Sequence, residues 1–148
     1  MSYDHTQRGP IHLILLGLAA VLLVSAWLVH VPEGRTILAI VAAVLAFFAF
    51  CFRSLRVRDA GDHLQLSYGP LPLFKKRLDY GRMRAVAPAR SDVLDGGGIH
   101  FVPGRGWVFN LWGFDCVRIQ LEGGVVRVGS DDVPGLVAFL ERRIGQAG

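Results

Sequence analysis

Two apolar runs, Ile11 to Val29 and Thr36 to Phe52, constrain this chain more than any other feature. Neither contains Lys, Arg, Asp or Glu, and only His30-Val31-Pro32-Glu33-Gly34-Arg35 separates them. At about 1.5 Å of rise per residue, each run as a helix reaches roughly 25 to 29 Å, close to the thickness of a bilayer's hydrocarbon core. The sequence therefore predicts an N-terminal two-helix transmembrane hairpin over residues 11–53. It follows a polar tail, residues 1–10, that reads as frayed and is broken from the helix by Gly9-Pro10. A cleaved leader with Arg8 as its basic region is the competing reading. The first run is too long for that, a second span follows at once, and no small-x-small site closes it.

Residues 54–148 then form one soluble domain of ordinary size. The net charge of +4 lies wholly in Arg53 to Gly148, since Arg8 is offset by Asp4 and Arg35 by Glu33. That excess suits an anionic membrane surface. Nucleic acid is not an expected partner, because the cations are interspersed with ten acidic residues from Asp59 to Glu141 and no recognition-helix or RNA-binding motif accompanies them. Cys51 ends the second run and Cys116 sits in strand-patterned sequence, so the two read as small apolar residues without a shared disulfide.

Lys and Arg flanking the spans predict orientation. Arg35 alone occupies the loop, whereas Arg8, Arg53, Arg56 and Arg58 flank the outer ends. Both termini and the soluble domain are expected in the cytoplasm, with the chain integral to the inner membrane. Small residues in the second run, Ala39, Ala42, Ala43 and Ala46, let helix backbones approach closely. They serve either packing within the hairpin or docking of another membrane protein.

From Arg53 onward the apolar period becomes two. Leu55 and Val57 alternate, Asp59-Ala60-Gly61-Asp62 turns, and Leu64, Leu66 and Tyr68 resume. Gly69-Pro70-Leu71-Pro72 interrupts the ladder before Phe74 to Leu78. Ile99 to Val102 and Trp107 to Phe109 flank the turn Pro103-Gly104-Arg105-Gly106. Val117, Ile119 and Leu121 pair through Gly123-Gly124 with Val126 and Val128. Ser130 is the expected cap of a final helix whose first turn holds Asp131, Asp132 and Pro134, with Val133, Leu136, Val137, Leu140 and Ile144 on one face.

Seven short antiparallel strands and one amphipathic C-terminal helix describe an α+β chain with a partly open barrel capped by that helix. With its helical hairpin, the chain resembles the bacterial pleckstrin-homology-like membrane proteins. The likeness rests on Leu71-Pro72-Leu73-Phe74, on Gly96-Gly97-Gly98-Ile99-His100, on Phe109-Asn110-Leu111-Trp112-Gly113-Phe114-Asp115-Cys116-Val117, and on Val128-Gly129-Ser130-Asp131-Asp132-Val133-Pro134-Gly135-Leu136. It departs from the family pattern at Gly97, where an aromatic is usual, and at His100, where an arginine is. The resemblance implies a noncatalytic, membrane-anchored module for protein association or membrane-surface contact and scaffolding, without a cofactor. The alternative is an accessory or assembly subunit that associates with a larger membrane complex, or with itself, through its spans.

Lys75-Lys76-Arg77, with Arg82 and Arg84 nearby, is the densest cationic cluster. It reads as a lysine-protected edge strand or as a contact for anionic lipid headgroups, to which each surface cation contributes about 1 kcal/mol. Trp107, Phe109, Trp112 and Phe114 concentrate aromatic mass that reads mainly as core. Trp112 is the exception, sitting where the strand pattern lapses and suited to a membrane or partner contact. Gly96 to Gly98 lacks the Lys-Ser/Thr and helix of a phosphate loop and reads as a hairpin connection. His12 and His30 stand at opposite ends of one span, so no metal site is expected. A Cys116 nucleophile with His100 as base lacks visible activation, and Asp131-Asp132 is accounted for by helix capping. No combination of nucleophile, base and oxyanion site is present, so no enzyme is expected.

Overall fold

The computed structural model describes residues 2–92 and 97–147. Its elements in chain order are β1 (Asp4–Arg8), α1 (Ile11–Leu28), α2 (Pro32–Cys51), β2 (Ser54–Asp59), β3 (His63–Gly69), β4 (Lys75–Asp79), a 3-10 turn (Tyr80–Arg82), β5 (Met83–Arg90), β6 (Gly98–Val102), β7 (Gly106–Asn110), β8 (Asp115–Leu121), β9 (Gly124–Gly129) and α3 (Val133–Ala147). Both apolar runs are helical, and both are long and apolar enough to cross a membrane. Pro32 begins α2 with its fixed φ, and Glu33 complements the helix dipole in the first turn.

The two helices pack through alanines. Ala19 and Ala26 of α1 are buried, as are Ala42 and Ala49 of α2. Of the four predicted packing residues, Ala42 is central and Ala39 and Ala46 flank it half-buried, while Ala43 points away from α1. Spacings of three and four keep the seam on one stripe, whereas Ala43 lies about 100° round the helix from Ala42. The outward faces are lipophilic, with Val21, Leu23, Trp27, Ile37 and Phe50 all more than half exposed.

The tail is not frayed. Asp4–Arg8 forms an antiparallel ladder with β2, from Asp4 opposite Arg58 to Arg8 opposite Ser54. Cross-strand pairing supplies what the polar sequence hides: the Arg56 guanidinium donates to both carboxylate oxygens of Asp4 and holds that carboxyl below its usual range. The hairpin is therefore inserted between two paired strands. Both of its outer ends leave from one end of the β1–β2 ladder, here termed the hairpin end.

Two sheets follow, of order β1-β2-β3-β4 and β5-β8-β9-β7-β6. This corrects the expected seven antiparallel strands in two respects. Nine strands are present among the described residues, and β7 and β9 run parallel, making the second sheet mixed; among the described residues no ladder joins the sheets, so there is no closed barrel. The inward residues pack between the sheets, chiefly Leu55, Leu64, Leu66, Ile119 and Val128. Alternation along β2 and β3 delivers them to one side. Leu136, Phe139 and Leu140 of α3 join this core, and α3 lies against β5, β8 and the 3-10 turn.

The C-terminal helix is capped by Asp132, not by Ser130. Its carbonyl accepts from the Leu136 N–H and its Oδ1 from the Gly135 N–H at 3.1 Å, while Ser130 Oγ accepts from the Asp132 N–H at 3.0 Å. Far along the helix, Arg143 donates to Asp59 at the end of β2, and its guanidinium lies 5.3 Å from the Tyr80 ring.

Candidate functional site

The hairpin end carries the densest set of unusual features. Three consecutive carbonyls of the β7–β8 connection are each held by a different buried polar side chain. Gln7 Nε2 donates to the Trp112 carbonyl at 2.8 Å, Asn110 Nδ2 to that of Gly113 at 2.8 Å, and Ser91 Oγ to that of Phe114 at 3.1 Å. The Ser91 N–H reinforces the last at 2.7 Å. Gln7, Ser91 and Asn110, with Ser130, are the buried polar residues of the described chain. Burying a polar group costs stability unless a partner satisfies it, so most of this chain's buried polarity is committed to one loop.

That loop turns at Gly113, whose φ of +85° disfavours a side chain. It presents Trp112 and Phe114 outward, 46% and 45% exposed. Trp112 lies against the chain just before α1: a Cβ on Gly9 would come within 2.5 Å of the Trp112 Cβ. Ile11, Gly97, Leu111, Trp112 and Phe114 line an apolar cleft of about 250 Å3 beside the first turn of α1.

The β3–β4 connection reaches the same end. Arg53 N–H donates to the Gly69 carbonyl at 3.1 Å, and Phe52, directly after α2, stacks on Phe74 at 5.3 Å and meets Tyr68 edge-on at 5.0 Å. Between these anchors Leu71 and Leu73 stand 41% and 61% exposed. Arg8 and Arg53 line a notch with Ser54 and Pro70. Burial pushes the Tyr68 phenol far above its usual range, and the Tyr68 hydroxyl donates to the Asn110 carbonyl at 3.2 Å, bridging the sheets.

The predicted cationic cluster does not assemble as one patch. Lys75 and Lys76 are exposed near the hairpin end of β4. Arg77 is engaged, with Nη2 on Asp62 and Nε on Asp79, both at 2.7 Å. Arg82, within the 3-10 turn, and Arg84, just past it, lie at the opposite end, where Arg84 pairs with Glu122. Lys75 and Lys76 face a groove between the free edges β4 and β6, lined also by Leu73, Phe74, Ile99, Trp107 and Phe109. Of the aromatic group, Phe109 is core, whereas Trp107 stands 45% exposed, stacked on Phe109 at 6.3 Å with Phe101 edge-on at 5.6 Å.

The remaining candidates are accounted for locally. Cys116 and Cys51 are buried and stand outside any disulfide among the described residues. His100 on β6 is separated from Cys116 on β8 by β7 and β9. Asp131 meets His5 at 2.5 Å and Asp132 accepts from the Tyr3 hydroxyl at 3.2 Å. Burial and this bond raise the Tyr3 pKa well above its ordinary value. Gly97 lines the cleft and Gly98 opens β6, while Gly96 lies outside the described residues.

Trp112 is exposed, as the lapse of the strand pattern around it predicts, but its setting is not local. Phe114, expected in the core with the other aromatics, is instead exposed beside Trp112; Gln7 and Ser91 carry no local signal, because their bonds reach across 105 and 23 residues, whereas Asn110 bonds a carbonyl only three residues ahead. No family model, curated protein or solved structure matches the chain.

Proposed function

We propose that this chain is an integral membrane protein of two spans whose pleckstrin-homology-like α+β domain is a noncatalytic binding and scaffolding module at the cytoplasmic face of the inner membrane. The observation that carries this reading is the insertion of the hairpin between β1 and β2. Arg8 and Ser54 are paired, so both helices leave one end of the domain and an even number of crossings is required. The outward faces of α1 and α2 expose contiguous lipophilic surface far beyond what a water-soluble monomer leaves open. Arg8, Arg53, Arg56 and Arg58 on the domain side, against Arg35 in the loop, favour the cytoplasmic orientation. A noncatalytic role fits a buried Cys116 whose candidate base, His100, stands on β6 with β7 and β9 between them.

Alkaline extraction of membranes and labelling of a C-terminal tag test this together. The protein is expected in the membrane pellet, with the tag protected in intact cells and labelled after permeabilisation. Release into the alkaline supernatant refutes the anchor, and labelling of intact cells refutes the orientation.

Ala43 supports a second reading. It is a small residue on the lipophilic face of α2 turned away from α1, where a further helix is able to approach closely. As an accessory or assembly subunit, the protein would lose a copurifying membrane partner on Ala43→Leu in mild detergent. A partner retained in that variant refutes this contact.

A further inference from the structure

We propose that the hairpin end of the β domain is a bilayer seat: the loops bearing Leu71 and Leu73 and bearing Trp112 and Phe114 sit in the lipid headgroup layer, with Arg8 and Arg53 between them against lipid phosphates. The inference rests on the two-span reading and adds to it a second, separately testable membrane contact.

Geometry fixes the height of these loops. With α1 spanning from Ile11, the chain at Gly9 is two residues outside the helix and so at most about 7 Å beyond it. The polar layer of a leaflet is itself about 5 to 7 Å deep. Trp112 packs against Gly9, which places the indole inside that layer. On the other side, Phe52 is the first residue after α2 and stacks on Phe74, next to Leu73. The two loops thus flank the two feet of the hairpin at the same height.

The chemistry suits that layer. Trp is favoured at the boundary between hydrocarbon and headgroups, and exposed Leu and Phe gain from leaving water. Arg8 and Arg53 are exposed cations and form no ion pair among the described residues, as expected of groups that meet phosphate. The presentation is built rather than accidental. The three bonds from Gln7, Asn110 and Ser91 fix the backbone from Trp112 to Phe114 while its side chains point outward, so little ordering remains to be supplied on contact.

The test uses the full chain in phosphatidylcholine vesicles with and without bromine on the acyl chains, in two single-tryptophan forms. In Trp27→Phe/Trp107→Phe the only indole is Trp112; in Trp107→Phe/Trp112→Phe it is Trp27, near the loop end of α1. Both indoles are expected to lose most of their emission to bromine close to the headgroups, and the Trp112 form to emit at shorter wavelength than the same protein in urea. Trp27 quenched with Trp112 unquenched and emitting as in water overturns the seat and leaves the anchor standing. Neither quenched overturns both. Because Trp112 itself is retained in the decisive form, the result does not depend on a variant of the loop folding.

Discussion

Asp59 closes the domain, and its replacement has a magnitude that follows from the geometry. The carboxylate is 5% exposed and gathers three donors from three places. Oδ1 accepts from the Gly61 N–H at 3.0 Å and the Tyr80 hydroxyl at 2.9 Å, and Oδ2 accepts from Arg143 of α3. Burial works against its charge, but the Gly61, Arg143 and Tyr80 bonds outweigh it and hold the carboxyl below its usual 3.8. Asp59→Asn keeps both Oδ1 bonds and turns an amide N–H2 toward the guanidinium. One charge-assisted bond is lost, in the range of about 1.5 to 3 kcal/mol. Arg143 is 31% exposed and regains water, so we place the cost near ~2 kcal/mol, or roughly 8 °C in Tm for a domain of this size. The sign of the pH dependence follows. A carboxylate with a depressed folded pKa stabilises fully above its unfolded value and loses that contribution as pH falls through the folded one. Thermal unfolding of the full chain in detergent should therefore show wild type well above Asp59→Asn at neutral pH, the gap narrowing as pH drops below 3.8. A gap that stays constant down to strongly acid pH, or no gap at neutral pH, refutes the account.

Three further outcomes are expected. Gly129→Ala places a Cβ 2.1 Å from Asn110 Oδ1 and 3.1 Å from the Asn110 Cα, so backbone must yield; overpacking of about 1 to 3 kcal/mol should lower Tm and redden Trp112 emission as the loop loosens. Ala42→Leu drives a larger side chain into the α1–α2 seam, where Ala42 is 1% exposed; proteolysis in detergent should cut the hairpin faster, whereas Ala43→Leu leaves the rate unchanged. Tyr80→Phe removes one charge-assisted bond to the Asp59 carboxylate and should cost about 1.5 to 3 kcal/mol at neutral pH in the same unfolding assay.

The legible part of this chain was what repeats locally. Apolar runs without charges announced α1 and α2, alternation announced β2, β3, β8 and β9, and a one-sided apolar period announced α3. β1 was illegible for a physical reason: Asp4-His5-Thr6-Gln7-Arg8 has no apolar face, and its strand conformation comes from a partner about fifty residues away. The parallel pairing of β7 with β9 is equally nonlocal. The candidate surface divided along the same line. Trp112 stood out where strand periodicity lapses, and it is exposed. The cationic run looked like one patch because sequence proximity ignores the 3-10 turn, which carries Arg82 and Arg84 to the opposite end from Lys75 and Lys76. Trp107 read as core by sharing a face with buried Phe109, yet it sits where that face opens between two free sheet edges.

The ladder between β1 and β2 also imposes an order of events on biosynthesis. Asp4–Arg8 leaves the ribosome first, but its partner Ser54–Arg58 follows only after both spans have been made. Until then β1 has nothing to pair with. If one span fails to insert, the two strands end on opposite sides of the bilayer, and the unpaired edge of β2 stays open to other chains. On the two-span reading proposed above, completion of this short polar ladder acts as a proofreading step, in which the domain seals only after the membrane has been crossed twice.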